Sequence, residues 1–238
     1  MSKEQEFLTN SNATKRFISF EGGEGAGKTT QIRLLAARLK MAGYVVCCLR
    51  EPGGTDIGEQ IRQILLNPAN ISMAPLAELM LYQAARAQLI AEVICPALDE
   101  GKVVLVDRFF DSTTAYQAYA RGIDRDIVDA ANAIGTDGLV PSRTILLTQD
   151  VNIGLQKATQ EGADRLEAEG QEFHAKVHDG FADLARSYSD RIVVVPCQEK
   201  KGDTHELIFA AVADLFNKKA AEPFEVTEQL LQETKNAG

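Results

Sequence analysis

Residues 22–29 read Gly22-Gly23-Glu24-Gly25-Ala26-Gly27-Lys28-Thr29, with Thr30 next, and this stretch constrains the chain more than any other. In such an order the glycines let backbone N–H groups turn toward a β-phosphate at the positive end of a helix. The lysine ammonium reaches the β- and γ-phosphates, and the threonine hydroxyl helps to hold Mg²⁺. The flanks meet the same requirement. Residues 17–20 are apolar and β-prone, and residues 30–39 carry apolar side chains at helical spacing, so the loop joins a strand to a helix. No Gly-x-Gly-x-x-Gly register can be written through the segment, which excludes a dinucleotide fingerprint in favour of a nucleoside triphosphate.

Strand-length apolar runs recur at 17–20, 45–49, 103–106, 144–147 and 192–195, separated by long stretches of helical periodicity. This alternation predicts an α/β fold: a three-layer α/β/α sandwich around a parallel sheet of about five strands, of the P-loop NTPase type. With 238 residues, 45% of them hydrophobic, the chain suits one kinase-sized domain over 16–217. A polar arm, 1–15, precedes it, and a tail, 218–238, follows, with a short amphipathic piece around Val226, Leu230 and Leu231.

The formal net charge of −9 argues against nucleic acid as a partner and leaves small anionic ligands open. The N-terminal residues lack the apolar stretch of a signal peptide or membrane anchor. Cys47, Cys48, Cys95 and Cys197 show no metal spacing, and three lie in apolar runs, so they are expected to be reduced core residues of a cytoplasmic protein.

In open parallel sheets ligands collect at the carboxyl ends of strands. The first strand runs into the phosphate loop, the second into Arg50-Glu51-Pro52-Gly53-Gly54-Thr55 and the third into Asp107-Arg108, so one crevice should gather Lys28, Arg50, Asp107 and Arg108. Guanidinium groups grip phosphate oxygens bidentately, and two of them beyond the loop lysine imply a second, phosphate-bearing ligand. Phosphoryl transfer to a phosphate needs positioning and charge neutralisation more than a general base. His174 and His178, one helical turn apart, read as an exposed helix face rather than a metal grip, and His205 reads as structural at a helix start. A helical stretch over 76–98, opening near Pro75, places Glu78, Tyr82 and Arg86 on one face. Spacing alone leaves this pair open between a base-stacking ring with its guanidinium and a half-buried tyrosine beside a surface arginine.

Taken together, the segment 17–29, the Arg50–Thr55 run, Ala84-Ala85-Arg86-Ala87-Gln88, Asp107-Arg108-Phe109 with Ser112 and Ala115-Tyr116-Gln117, Arg121-Gly122-Ile123-Asp124 and Asp164-Arg165-Leu166-Glu167 resemble bacterial thymidylate kinases over about 16–216. The resemblance implies transfer of a phosphoryl group from ATP, with Mg²⁺, to dTMP in dTTP biosynthesis, by a homodimer. It implies that Arg50 and Arg108 hold the dTMP phosphate, that Glu24 and Tyr116 meet the deoxyribose, and that Tyr82 stacks on thymine. Arg86 would reach a base carbonyl, Ser112 and Gln117 would complete the polar edge, and Thr29 and Asp107 would serve the metal.

The family also supplies a catalytic arginine from the phosphate loop or from a lid. Here the loop carries Gly25, so the role would fall to a short helical lid, 156–167, whose cations are Lys157 and Arg165. After the fourth strand, Thr148-Gln149-Asp150 stands where the family has an apolar residue, Asp and Val. Two rival readings are a deoxynucleoside kinase, which needs a general base for a neutral hydroxyl, and a nucleotide-switched binding protein, for which no Asn-Lys-x-Asp guanine-reading element is present.

Overall fold

A computed structural model of the chain describes residues 16–149 and 164–236. Five strands, β1 (Phe17–Glu21), β2 (Val46–Arg50), β3 (Val103–Asp107), β4 (Arg143–Thr148) and β5 (Ile192–Pro196), form one parallel sheet in the order β2-β3-β1-β4-β5. The apolar runs mark these strands to within a residue or so at each end. Alternation sends successive side chains to opposite faces. Ile18 and Phe20 pack with Ile32, Leu35 and Leu39 of α1 (Lys28–Met41) and with Ile208, Phe209 and Val212 of α8 (Lys201–Val212). Phe17, Val104 and Val106 pack on the other face with Leu89, Ile94, Leu98 and Phe109. Both faces are covered, as the near-continuous apolar strands require.

The helices between α1 and α8 are α2 (Asp56–Leu66), α3 (Pro75–Leu89), α4 (Cys95–Asp99), α5 (Phe110–Thr113), α6 (Arg125–Thr136) and α7 (Gln171–Ser187). The stretch expected as one helix over 76–98 is α3 and α4 joined by a wide π turn, Ile90–Ile94. Pro96 has no N–H to continue the α ladder, and the wider turn absorbs the missing bond. A second wide turn, Thr114–Ala120, follows α5 and carries Tyr116 and Gln117.

Two expectations change, and the place of the tail is filled in. None of the four cysteines is a fully buried core residue: Cys48 is exposed and Cys47, Cys95 and Cys197 are half-buried, because β2 lies at the sheet edge and Cys95 opens α4. His174 is buried rather than exposed. It lies three residues before Val177 and seven before Phe181, both buried, and so shares the apolar stripe of α7, while His178 is exposed as expected. The segment set apart as a tail is partly built into the fold. Arg38 of α1 donates from Nε to the Ala220 carbonyl at 2.9 Å and from Nη2 to that of Glu222 at 3.3 Å, and Ala220 joins the core. Beyond it, Phe224 packs on the buried His205 ring, and α9 (Glu228–Asn236) lies against α1.

Candidate active site

At the carboxyl ends of β1, β2 and β3 the fold opens a cavity of about 430 Å³. Its floor is the phosphate loop. Gly22, at φ +136°, passes so close to β4 that an added Cβ would sit 2.3 Å from the Leu147 carbonyl oxygen. Only glycine fits that approach. Lys28 at the start of α1 is buried and donates from Nζ to the carbonyls of Gly22 at 3.1 Å and Gly23 at 2.8 Å. Burial pulls the Lys28 pKa down and the nearby Arg108 charge adds to this, with Asp107, Glu24 and Glu21 acting in opposition. The Thr29 hydroxyl donates to Asp107 Oδ2 at 2.7 Å, so the end of β3 meets the start of α1 across the crevice.

Arg108 follows β3 in the left-handed region, φ 68°, unusual for a residue with a side chain and a mark of a position under functional constraint. From there its guanidinium donates to the Gly22 carbonyl at 3.0 Å, to Ser112 Oγ at 3.1 Å and to Glu24 Oε1 at 2.6 Å, and lies over the Tyr116 ring. Tyr116 donates to the same Glu24 oxygen at 2.6 Å. Burial pushes the Glu24 carboxyl up, but the Arg108 and Lys28 charges and these hydrogen bonds outweigh it and hold the pKa at about 2. Beneath them sits a residue the sequence reading passed over. Glu21, fully buried at the end of β1, accepts from the Phe109 backbone N–H at 2.8 Å and from Ser112 Oγ at 2.5 Å. Burial, then the neighbouring Asp111, raises its pKa above the usual carboxylate range.

The opposite wall comes from the run after β2 and from α2 and α3. Arg50 is half-exposed and donates from Nη2 to both Glu59 oxygens at 3.1 Å. Arg62, another residue missed from sequence, projects from α2 into the cavity and donates to the Pro52 carbonyl at 2.9 Å. Burial and the Arg50 charge lower its pKa. Arg86 is 2% exposed and forks onto Glu51 Oε2 from Nε at 2.8 Å and Nη2 at 2.6 Å. Its Nη2 also reaches Thr113 Oγ1 at 3.0 Å, and its Nη1 reaches Gln83 Oε1 at 3.0 Å. A guanidinium has five N–H groups. One on Nη1 is left for a ligand acceptor in the cavity that Arg86 lines. Tyr82, one turn earlier on α3, is half-buried and lines the same cavity, and Arg86 is buried rather than a surface group.

Asp164, Leu166 and Glu167 close the far side. The part of the expected helical lid that is described, 164–167, is a turn: Asp164 Oδ1 accepts from the backbone N–H groups of Leu166 and Glu167, both at 2.8 Å. Lys157 lies outside the described residues. Arg165 is buried, donating from Nε to the Leu65 carbonyl at 2.7 Å, with Nη2 2.6 Å from Glu78 Oε2.

The cavity thus brings together Gly25, Ala26, Gly27, Lys28, Thr29, Thr30, Glu24, Arg50, Tyr82, Arg86, Asp107, Arg108, Ser112, Tyr116 and Gln117, while Gly22 and Gly23 lie behind the loop. The missed residues Glu21, Glu51, Arg62 and Glu78 are mostly buried partners of these. For Glu21, Glu51 and Glu78 the one sequence signal is an acidic residue in or beside an apolar run, which a fold tolerates only when it is paired.

A thymidylate kinase family model matches residues 20–208. Among related proteins, the thymidylate kinase of Trichlorobacter lovleyi is 47% identical over 203 residues, 82% of this chain and 96% of that protein. That of Deinococcus radiodurans is 45% identical over 199 residues, 83% and 96% of the two chains. The crystal structure of thymidylate kinase from Ehrlichia chaffeensis superposes with a TM-score of 0.65 at 31% identity, covering 82% of this chain and 96% of that one. A family match across most of the length, with the phosphate loop and both strand-end arginines facing one cavity, leaves a single assignment: the chain belongs to the thymidylate kinase family.

Proposed function

We propose that the chain transfers the γ-phosphoryl group of ATP to dTMP. The observation that carries this reading is one cavity lined both by the phosphate loop and by three further arginines, Arg50, Arg62 and Arg108. The triphosphate lies on residues 22–30, with Lys28 on its β- and γ-oxygens. The acceptor phosphate takes Arg108 and Arg50, its sugar meets Glu24 and Tyr116, and its base stacks on Tyr82 with the spare Arg86 N–H on a carbonyl. Ser112 and Gln117 border the polar edge.

A phosphate acceptor is already an anionic nucleophile at neutral pH, so the protein aligns it and neutralises charge. Lys28 and Arg108 are the catalytic groups in this reading, since both face the space between the two phosphates. The lid role expected of Arg165 is not carried forward, because its guanidinium is committed to Glu78 and Leu65; Lys157, outside the described residues, keeps its expected place as a lid cation. Thr29 and Asp107 suit Mg²⁺, their oxygens 2.7 Å apart being hard donors of the kind that ion takes alongside substrate phosphates. A Mg²⁺ ion held there would supply charge neutralisation for the transferring phosphoryl group.

A homodimer is part of the proposal. α3 packs between α2 and α6, and Ile57, Ile64, Leu76, Met80, Ile127 and Ile134 of these three helices are exposed. Such an apolar set on neighbouring helices suits a second copy of the chain.

A coupled assay offering ATP with dTMP, dUMP, dCMP or thymidine tests the activity. ADP release that follows dTMP best supports it, whereas preference for thymidine, or turnover indifferent to every monophosphate, overturns it.

A further inference from the structure

Glu78 of α3 is a carboxylate at 1% exposure, and three side chains converge on it. Gln117 donates from Nε2 to Oε1 at 2.8 Å, and Arg121 reaches both oxygens at 3.2 Å. Arg165 completes the set at 2.6 Å on Oε2. Burial raises the Glu78 pKa, but the hydrogen bonds from Gln117 and Arg121 and the charges of Arg121 and Arg165 outweigh it and lower the value, so the group stays ionised. An ionised carboxylate only accepts hydrogen bonds. It therefore takes the –NH₂ side of the Gln117 amide and turns the carbonyl oxygen away from itself. Gln117 lines the acceptor cavity, so the end offered to a ligand is an acceptor. Arg86, on the same helix face two turns along, offers the opposite polarity: a guanidinium is donor only.

We infer that Glu78 is a positioning residue that fixes the orientation of the Gln117 amide, and that it thereby makes the pocket select a 2,4-dioxopyrimidine over a 4-aminopyrimidine. The inference rests on the proposed placement of the base between Tyr82, Arg86 and Gln117. Thymine presents an N3–H donor and a C4 carbonyl acceptor, which match a Gln117 carbonyl and an Arg86 N–H. Cytosine presents a lone pair at N3 and a donor amine at C4, so both contacts become mismatched. Buried polar groups left unpaired in this way are what lets a site reject a near-isostere. Without the fixed carboxylate, Gln117 could rotate its amide by half a turn and satisfy cytosine at N3.

The experiment measures calorimetric dissociation constants for dTMP and dCMP, and kcat with dTMP, in wild type, Glu78→Gln and Gln117→Met. In Glu78→Gln, where residue 78 can itself donate and Gln117 is free to flip, dTMP binding should weaken and the dTMP-to-dCMP affinity ratio should fall about tenfold, the size of one lost hydrogen-bond match. The kcat should change only a few-fold, since no reacting atom is touched. Gln117→Met should lower the ratio similarly. If Gln117→Met leaves dTMP affinity unchanged, the base does not lie against Gln117, and both the placement and this inference fall. If Gln117→Met lowers the ratio but Glu78→Gln keeps it, the placement stands and the inference is overturned. Glu78→Asp covers a failure of the glutamine variant to fold: keeping the charged acceptor, it should keep the ratio, and a lost ratio there overturns the inference.

Discussion

Arg108 Nη2 lies 2.6 Å from Glu24 Oε1, so the arginine assigned to the acceptor phosphate already holds an anion from the phosphate loop. The pair links β3 to the loop after β1. Lysine at this position would keep the charge, yet it lacks the planar fork that serves Gly22, Ser112 and Glu24 together. Arg108→Lys should lower kcat/KM for dTMP about a hundredfold, while the KM for ATP changes little. Steady-state kinetics with each substrate varied in turn will check this, and a near-wild-type kcat/KM would remove Arg108 from the catalytic groups.

Arg165 offers a second kinetic test. Its backbone N–H bonds the Leu66 carbonyl at 3.2 Å while its side chain holds Leu65 and Glu78, so three links tie the turn 164–167 to α2 and α3. Arg165→Ala should loosen that wall and raise the KM for dTMP about tenfold, with kcat altered only a few-fold. A fall in kcat of roughly a thousandfold, the arginine-finger scale, would instead put this guanidinium on the transferring phosphoryl group.

Stability should carry a histidine signature. His205 is fully buried against Phe224, neither ring nitrogen has a hydrogen-bond partner among the described residues, and burial, with the Arg38 charge, pulls its pKa from 6.5 to about 4. Between those values the unfolded chain binds a proton that the folded chain refuses. The contribution is therefore fully present above pH 6.5 and is lost as pH falls toward 4, by up to about 3 kcal/mol. His205→Leu should flatten this part of the pH profile. Urea unfolding at pH 7, 5.5 and 4.5 measures it, and an identical slope in the variant would show that other groups set it.

The proposed dimer face gives a fourth test. Leu76 and Met80, four residues apart on α3, are 53% and 48% exposed. Glutamate at both should leave the fold intact, since neither packs inside, and should convert a dimer to a monomer in sedimentation. A monomeric wild type would remove the assembly from the proposal.

Much of this architecture can be read from local pattern, because a parallel sheet buried on both faces imposes local signatures. Five apolar runs, the glycine-rich turn after the first and the arginines after the second and third mark the sheet and the crevice: the runs are the five strands, and the turn and both arginines lie at strand ends lining the cavity. What local pattern misses is the layer behind the site. Glu51 meets Arg86 across 35 residues of sequence, and Glu78 meets Arg121 across 43; no periodicity relates such partners. Glu78 is instructive, since its place on the Tyr82 and Arg86 face is visible in the sequence while its purpose depends on a turn that returns much later in the chain. His174 shows the converse limit: one position on a helix separates an exposed face from a buried stripe.

β1 and β3 are immediate neighbours, with Phe20 paired to Asp107, and each ends at one of the two phosphate-handling elements. Adjacent strands are held about 4.8 Å apart by their backbone ladder, whatever their side chains. Under the proposed placement, the separation between donor and acceptor phosphates is inherited from the sheet, whereas the base is read by α3 and the turn Thr114–Ala120. Reaction and recognition thus have separate mechanical supports. Under that placement, one pyrimidine preference can be exchanged for another by substitutions on α3 and this turn, without renegotiating the geometry of the transfer itself.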